Sequence, residues 1–218
     1  MKNLLTIAVF CAITLTACGN TNTSIENSKV ENKDNVKQLE GLSKAYFASG
    51  CFWCVEAIFE ELKGVEEVVS GYAGGKEKGP TYQQVSAGLT THAEAVVVYY
   101  NPDLIDFKTL VKVFFGSHDP TTLNQQGPDK GAQYRSIAFY SNENEERIIN
   151  EYIAHLKADN VYDDEITTDV KMLDIFYNAE EYHQDYERNN PDNPYVKSVS
   201  IPRLKRFEAK YPELLKDH

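Results

Sequence analysis

Tyr46-Phe47-Ala48-Ser49-Gly50-Cys51-Phe52-Trp53-Cys54-Val55-Glu56-Ala57-Ile58-Phe59-Glu60-Glu61-Leu62-Lys63-Gly64 is the stretch from which the fold can be read. Tyr46–Ala48 reads as a short strand ending at Ser49-Gly50. Beyond it Val55, Ile58, Phe59 and Leu62 recur at i, i+3, i+4 and i+7, the spacing of one helical face, and Gly64 stops the run. A strand therefore turns straight into an amphipathic helix, with Cys51 at the corner.

Outward from this corner, Val65–Gly71 reads as a second strand. Gly74-Gly75 with Gly79-Pro80 makes a long polar loop, and the β-branched run Ala93–Tyr100 is a third strand closed by Asn101-Pro102. Asp106 caps a helix that buries Phe107, Leu110, Val111 and Phe114. A glycine-bearing loop spans 116–133, and Ser136–Tyr140 is a fourth strand. Asn142 with Glu145 three residues on reads as a capping box for a helix through Leu156. Ile166–Leu173 reads as a further strand and Pro202–Tyr211 as a terminal helix. The order β-α-β-β-α-β predicts an α+β two-layer sandwich, a ferredoxin-like split βαβ core with additional loops and a C-terminal helix.

At 218 residues, 42% hydrophobic and 25% charged, the chain accommodates one sizeable domain plus tails. A net charge of −11 opposes binding to nucleic acid and electrostatic docking on anionic lipid. With 14 tyrosines and 10 phenylalanines the core needs no disulfide staples. No heptad repeat or swapped element is evident, so a monomer is expected.

The N-terminus reads as an address. Lys2, the apolar run Leu4–Leu15 and small residues before Cys18 form a segment too short to span a bilayer as a mature helix. Leu15-Thr16-Ala17-Cys18 resembles the bacterial lipobox. On that reading residues 1–18 are a lipoprotein signal peptide, Cys11 is discarded, and Cys18 is acylated as the membrane anchor. Residues 19–44, rich in Asn, Ser, Lys and Glu without apolar periodicity, read as a flexible tether with a reach of roughly 25–30 Å. The folded domain is expected over 45–212 and a tail over 213–218. The location expected is a bacterial cell envelope, with the domain facing the periplasm or exterior.

Cys51 and Cys54 form a C-x-x-C pair at a helix start, where unpaired N–H groups and the helix dipole favour a thiolate. Three readings stand open on the pair alone: two core cysteines, a zinc site completed by His92, His118 or His183, and a redox pair. No second C-x-x-C or H-x₃₋₅-H accompanies it. Phe52 and Trp53, the only tryptophan, stand beside the thiol as candidates for an apolar cage around a thioether methyl.

The segments Gly50-Cys51-Phe52-Trp53, Gly71-Tyr72-Ala73-Gly74-Gly75, Pro80-Thr81-Tyr82, His92-Ala93-Glu94, His118-Asp119-Pro120-Thr121-Thr122, Gly127–Gly131, Gln133–Ser136 and Ala179–Gln184 together resemble the peptide methionine sulfoxide reductase A family, here in a lipoprotein form. The resemblance spans about 45–212. It implies Cys51 as the attacking thiolate and Phe52 and Trp53 as the pocket for the substrate S-methyl group. It further implies Glu94 as the acid that protonates the sulfoxide oxygen, Tyr82 and Tyr134 as hydrogen-bond donors to that oxygen, and Asp129 as an organising carboxylate. The implied substrate is methionine (S)-sulfoxide, free or in oxidised proteins and peptides, with no bound cofactor and no metal.

The chemistry is coherent: a sulfoxide oxygen is a poor leaving group until protonated, so a carboxyl kept neutral by burial suits the task. The chain departs from the family pattern at one point. Many relatives carry glycine after the Phe-Trp pair and resolving cysteines near the C-terminus, whereas here Cys54 occupies the glycine position and 195–218 holds no cysteine. Cys54 is thus the expected resolving thiol, forming a 51–54 disulfide that a thioredoxin-like dithiol reduces. The rivals are an envelope thiol–disulfide oxidoreductase using the same pair and a metal-binding or structural lipoprotein.

Overall fold

The structure, a computed structural model, describes residues 39–217. The stretch read as a signal peptide, with Cys11 and Cys18, and the expected tether as far as residue 38 lie outside those residues. Among the described residues no helix is long and apolar enough to cross a membrane.

In chain order the elements are β1 (Ser43–Ser49), α1 (Phe52–Glu60), β2 (Val65–Ala73), α2 (Tyr82–Ser86), β3 (Ala93–Tyr100), α3 (Phe107–Gly116), the two-residue strands β4 (Gln125–Gln126) and β5 (Asp129–Lys130), and β6 (Ser136–Tyr140). There follow α4 (Glu143–Ala158), β7 (Asp169–Met172), β8 (Phe176–Asn178), α5 (Tyr186–Asn189) and α6 (Ile201–Lys210). A π-helical turn, Val196–Ser200, leads into α6. The main sheet runs β7-β6-β1-β3-β2-β8. Every neighbouring pair is antiparallel except β6 and β7. β3 lies between β1 and β2, which α1 connects, and β1 lies between β3 and β6, which α3 connects. Two βαβ units thus interleave, the strand order expected for a split βαβ core.

Period-2 alternation divides the sheet. Ala45, Phe47, Val96, Val98 and Ala138 face the helices, whereas Ala48, Ala73, Ala93, Ala95, Ile137 and Phe139 form a smaller cluster on the other face with Tyr46, Leu173 and Phe176. Phe47 marks the centre of the helical layer: its ring stacks on Phe59 of α1 at 5.2 Å and on Phe114 of α3 at 5.1 Å. Both crossover helices therefore share one face.

Several boundaries differ from expectation for local reasons. β1 begins at Ser43, because Ser43 and Lys44 pair with Tyr100 and Tyr99 of β3; the expected tether ends inside this strand. Of Ile166–Leu173 only Asp169–Met172 pairs, parallel to β6, while Thr167 N–H turns aside to the Pro120 carbonyl. At Asn142 the box is only half closed: Asn142 Oδ1 accepts from Glu145 N–H at 3.0 Å, but Glu145 Oε2 accepts from Ser141 N–H. A full capping box occurs instead at Thr81 and Gln84, starting the unanticipated α2. α6 begins one residue before Pro202 and ends at Lys210.

Phe47→Ala removes the ring that joins both helices to the sheet. It is expected to cost about 3–5 kcal/mol in denaturant unfolding; a loss under about 1 kcal/mol would mean the stack is not central.

Candidate active site

Gly50 makes the corner with φ +94°, and a Cβ there would fall 2.7 Å from Gln126 Cβ and Cγ, so only glycine turns the chain this closely. Cys51 follows as the N-cap of α1, its carbonyl accepting from Cys54 N–H and Val55 N–H. Its side chain makes no capping bond. Glu94 takes over part of that duty: the Phe52 N–H donates to Glu94 Oε2 at 3.1 Å. Glu94 stands on β3 on the same face as Val96 and Val98, opposite Tyr72 of β2, and is 2% exposed. Burial pushes its carboxyl up to about 8, against the Phe52 N–H, which lowers it. The carboxyl is therefore mostly protonated at neutral pH.

The two sulfurs hydrogen-bond each other, and both are free thiols, buried. Cys51 stands at the helix start where a thiolate is expected, and its burial works against that charge. Burial raises the Cys51 thiol well above its usual range, and the hydrogen bond and charge of Cys54 and the charge of Glu94 add to the rise. Cys54 moves the other way, to about 6, through its hydrogen bond from Cys51 and the charge of Arg203, against burial. Burial thus opposes ionisation of Cys51, while the hydrogen bond between the two sulfurs favours it at Cys54.

Aromatic rings surround the corner. Phe52 is buried, with its ring 6.2 Å from Trp53, 6.3 Å from Tyr82 and 5.0 Å from His183. Trp53 stacks on Tyr186 at 3.7 Å and donates its Nε1–H to His183 Nδ1 at 3.1 Å. Tyr134 packs on the same core, close enough that the charges of Glu94, Cys51 and Tyr82 add to the burial that raises its phenol. The Tyr82 phenol is raised to about 12, chiefly by burial. Both are therefore O–H donors at any working pH. Asp129 Oδ2 accepts from the Tyr195 hydroxyl at 2.6 Å, and the Tyr195 hydroxyl oxygen lies 3.8 Å from Cys54 Sγ.

Cys51, Cys54, Phe52, Trp53, Glu94, Tyr82, Tyr134 and Asp129 are thus brought to one place. Sequence reasoning missed their supports. Tyr195 and Arg203 join from the C-terminal segment, Tyr186 forms the back of Trp53, and Glu180 accepts from Tyr72 O–H and Tyr82 N–H, fixing the start of α2. His183, read as a bland core residue, is buried but holds the indole. Its segment Ala179–Gln184 was the available signal.

The other two histidines considered as zinc ligands are committed elsewhere. His92 accepts from Gly75 N–H and contacts the Glu77 carbonyl; His118 contacts the Phe114 carbonyl and Ser136 Oγ. Among the described residues the one cluster with metal-ligand spacing is Glu56, Glu60 and Asp185, which includes neither cysteine. The histidines do not gather with the pair as a zinc site requires.

What this arrangement can do is transfer an electron pair from two thiols while a neutral acid supplies a proton, the equipment of a cysteine-dependent oxidoreductase. Comparison with known proteins makes the class specific. The family model described as peptide methionine sulfoxide reductase matches residues 43–215. Peptide methionine sulfoxide reductase MsrA of Natronomonas pharaonis is 47% identical over 169 residues, 78% of this chain and 95% of that protein. The MsrA of Chromobacterium violaceum is 45% identical over 81% of this chain and its own full length. Among solved structures, Mxr1 of Saccharomyces cerevisiae in reduced form superposes with a TM-score of 0.64 at 34% identity, covering 70% of this chain and 87% of that one. Methionine sulfoxide reductase A of Corynebacterium diphtheriae gives 0.63 at 34% identity, covering 71% and 77%. The chain belongs to the peptide methionine sulfoxide reductase family.

The Glu94 carboxyl is expected to lose its protonated infrared C=O stretch with a midpoint near pH 8, and the band is to be absent in Glu94→Gln. A midpoint near the ordinary carboxylate value of about 4.3 would show that burial does not govern this group.

Proposed function

We propose that the protein reduces methionine (S)-sulfoxide, free or in oxidised proteins, to methionine, with Cys51 as nucleophile. The observation that carries this reading is the buried, mostly neutral Glu94 carboxyl bonded to the N–H of the residue after Cys51. The substrate methyl lies against Phe52 and Trp53, where thioether and methyl groups pack well on aromatic faces. Cys51 sulfur attacks the sulfoxide as a thiolate, and Glu94 gives its proton to the oxygen. Tyr82 and Tyr134 donate hydrogen bonds to that oxygen as charge develops on it. Oxygen transfer leaves methionine and a sulfenic acid on Cys51. Asp129 acts at one remove, orienting Tyr195 beside Cys54.

Cys54 then attacks the sulfenic sulfur to give a 51–54 disulfide, which a thioredoxin-like dithiol reduces by exchange. The support for Cys54 is its hydrogen bond to Cys51 and the absence of any cysteine in 195–218. The reading of the N-terminus as a lipobox supports a location in a bacterial envelope, the domain held at a membrane by acylated Cys18.

In a dithiothreitol-driven assay, Cys51→Ser is expected to abolish methionine formation and Glu94→Ala to lower its rate about 10²–10⁴-fold. Full turnover by either variant removes that residue from the mechanism. Cys54→Ser is expected to release one methionine per chain without reductant and to leave a trappable sulfenate on Cys51. A 51–54 disulfide missing from the parent after one turnover defeats the resolving role. Metabolic labelling with palmitate is expected in the full chain and lost in Cys18→Ala; equal labelling of both refutes the anchor.

A further inference from the structure

Met172 carries a thioether that the chemistry at Cys51 does not use. Met1 and Met172 are the two methionines of the chain, and Met172 is the one among the described residues. It ends β7, the strand at one edge of the sheet, and is 61% exposed. A core methionine bends its unbranched chain into a gap between other side chains; this one fills no such gap. Its neighbours hold β7 without it. Asp169 faces Arg135 across 3.8 Å, and Lys171 Nζ donates to the Gly74 carbonyl at 2.6 Å. Val170 packs on the helical layer, while Leu173 packs on the cluster of the other face and its N–H donates to the Tyr140 carbonyl. The sulfur is therefore open to a small oxidant, and its conversion to a polar sulfoxide takes nothing from the core.

Met172 lies far from the Cys51 of its own chain. Ser49, two residues before Cys51, is opposite Ser136 of β6, and Met172 is opposite Tyr140, four residues farther along β6. Four residues at about 3.3 Å and two strand spacings of about 4.8 Å place Met172 roughly 16 Å from Ser49. The aromatic wall beside Cys51 comes from α1 and the segment after β8, and β8 is the opposite edge of the sheet. No bending of the side chain spans that gap while β7 stays paired to β6. A second copy of the chain meets no such limit, because the thioether projects into solvent from an edge strand.

We propose that Met172 is a reversible oxidation site whose (S)-sulfoxide is reduced by Cys51 of a second copy of this chain, so that the protein is one of its own substrates. This rests on the sulfoxide chemistry proposed above and gives it one defined protein substrate.

Atoms and electrons balance through the cycle. The Met172 sulfur attacks a hydroperoxide and the O–O bond breaks. One oxygen stays on sulfur, and the rest leaves as an alcohol carrying the peroxide proton, or as water from hydrogen peroxide. The thioether loses two electrons and the peroxide gains them. Cys51 of the second copy then attacks the sulfoxide, and Glu94 protonates the oxygen, which restores the thioether and leaves a Cys51 sulfenic acid. Cys54 forms the S–S bond as the S–O bond breaks, and the hydroxide departs as water with a thiol proton. Two thiols have then supplied the two electrons that the peroxide took.

The test keeps substrate and catalyst apart. Full-length Cys51→Ser chain is treated with hydrogen peroxide, freed of it, and mixed with dithiothreitol and a trace of Met172→Leu chain; the peptide holding Met172 is followed by mass spectrometry. Met172→Leu is expected to reduce free methionine sulfoxide at the parent rate. Peroxide is expected to convert Met172 to its sulfoxide without unfolding the chain. Dithiothreitol alone is expected to leave that sulfoxide in place. The trace of Met172→Leu is expected to lower it by about half, the share of one epimer, at a rate proportional to the amount added. In the oxidised parent alone, the rate per chain is expected to fall in proportion to dilution. The proposal is overturned if Met172 stays unoxidised where a short methionine peptide is oxidised. A sulfoxide that persists while the same Met172→Leu preparation reduces free methionine sulfoxide also overturns it, and leaves the activity standing. A rate per chain unchanged by dilution puts the repair within one chain and overturns it too. If neither the free amino acid nor the oxidised chain is reduced, the sulfoxide reading itself falls and takes this proposal with it. Should Met172→Leu fail to fold, a trace of the parent serves as the catalyst.

Discussion

A single hydrogen bond, Phe52 N–H to Glu94 Oε2, ties the chemistry to the fold. The first N–H groups of a helix have no partner within it and need an acceptor from outside. Cys51 sits where a capping side chain belongs and makes no such bond. The acceptor comes instead from β3, 42 residues along the chain. One carboxyl thereby completes the start of α1 and stands beside the sulfur that α1 presents. Interleaving of the two βαβ units brings this about, because it puts β3 in the middle of the sheet directly beneath the helix.

That bond also sets a conflict within Glu94. The N–H and the helix N-terminus favour its anion, while burial disfavours it. Burial dominates, and a carboxyl pushed to about 8 stays an acid at neutral pH without becoming unable to give its proton up. The rings of Phe52, Tyr82 and His183 packed around the corner keep the dielectric low. His183 and Tyr186 in turn hold Trp53 by a hydrogen bond and a stack, so the aromatic wall is built from α1 and the segment after β8.

Most of the core was legible because it follows local rules. The i, i+3, i+4, i+7 spacing in 55–62 defined α1, Asp106 capped α3 by accepting from Thr109 N–H, and the β-branched run at 93–100 became the central strand. Parity within β3 also puts Glu94 on the face of Val96, but parity does not say which face is covered. The C-terminal third was harder. β8 is three residues long, α5 is four, and their places depend on contacts such as Gln184 with Ser70 and Glu56 with Asp185 N–H, which leave no periodic trace. Tyr195 and Arg203 could not be singled out among 14 tyrosines and 22 basic residues. Their use comes from the approach of α6 to the Gly50 corner, a tertiary fact.

The state of the thiol pair follows from the same limitation. Spacing shows that Cys51 begins a helix, and the dipole argument then favours its anion; only three dimensions show how deeply both sulfurs are enclosed and that they bond to each other. The enclosure has a chemical logic. A sulfoxide oxygen carries partial negative charge, so a niche that receives it needs donors and no anion directly opposite. Glu94 protonated and the Tyr82 phenol at about 12 meet that need. A permanent thiolate on Cys51, enclosed with the Glu94 carboxyl, would hold that carboxyl's proton more tightly and hinder its release to the oxygen. Burial that opposes a resting charge on Cys51 therefore also preserves the acid that its reaction needs.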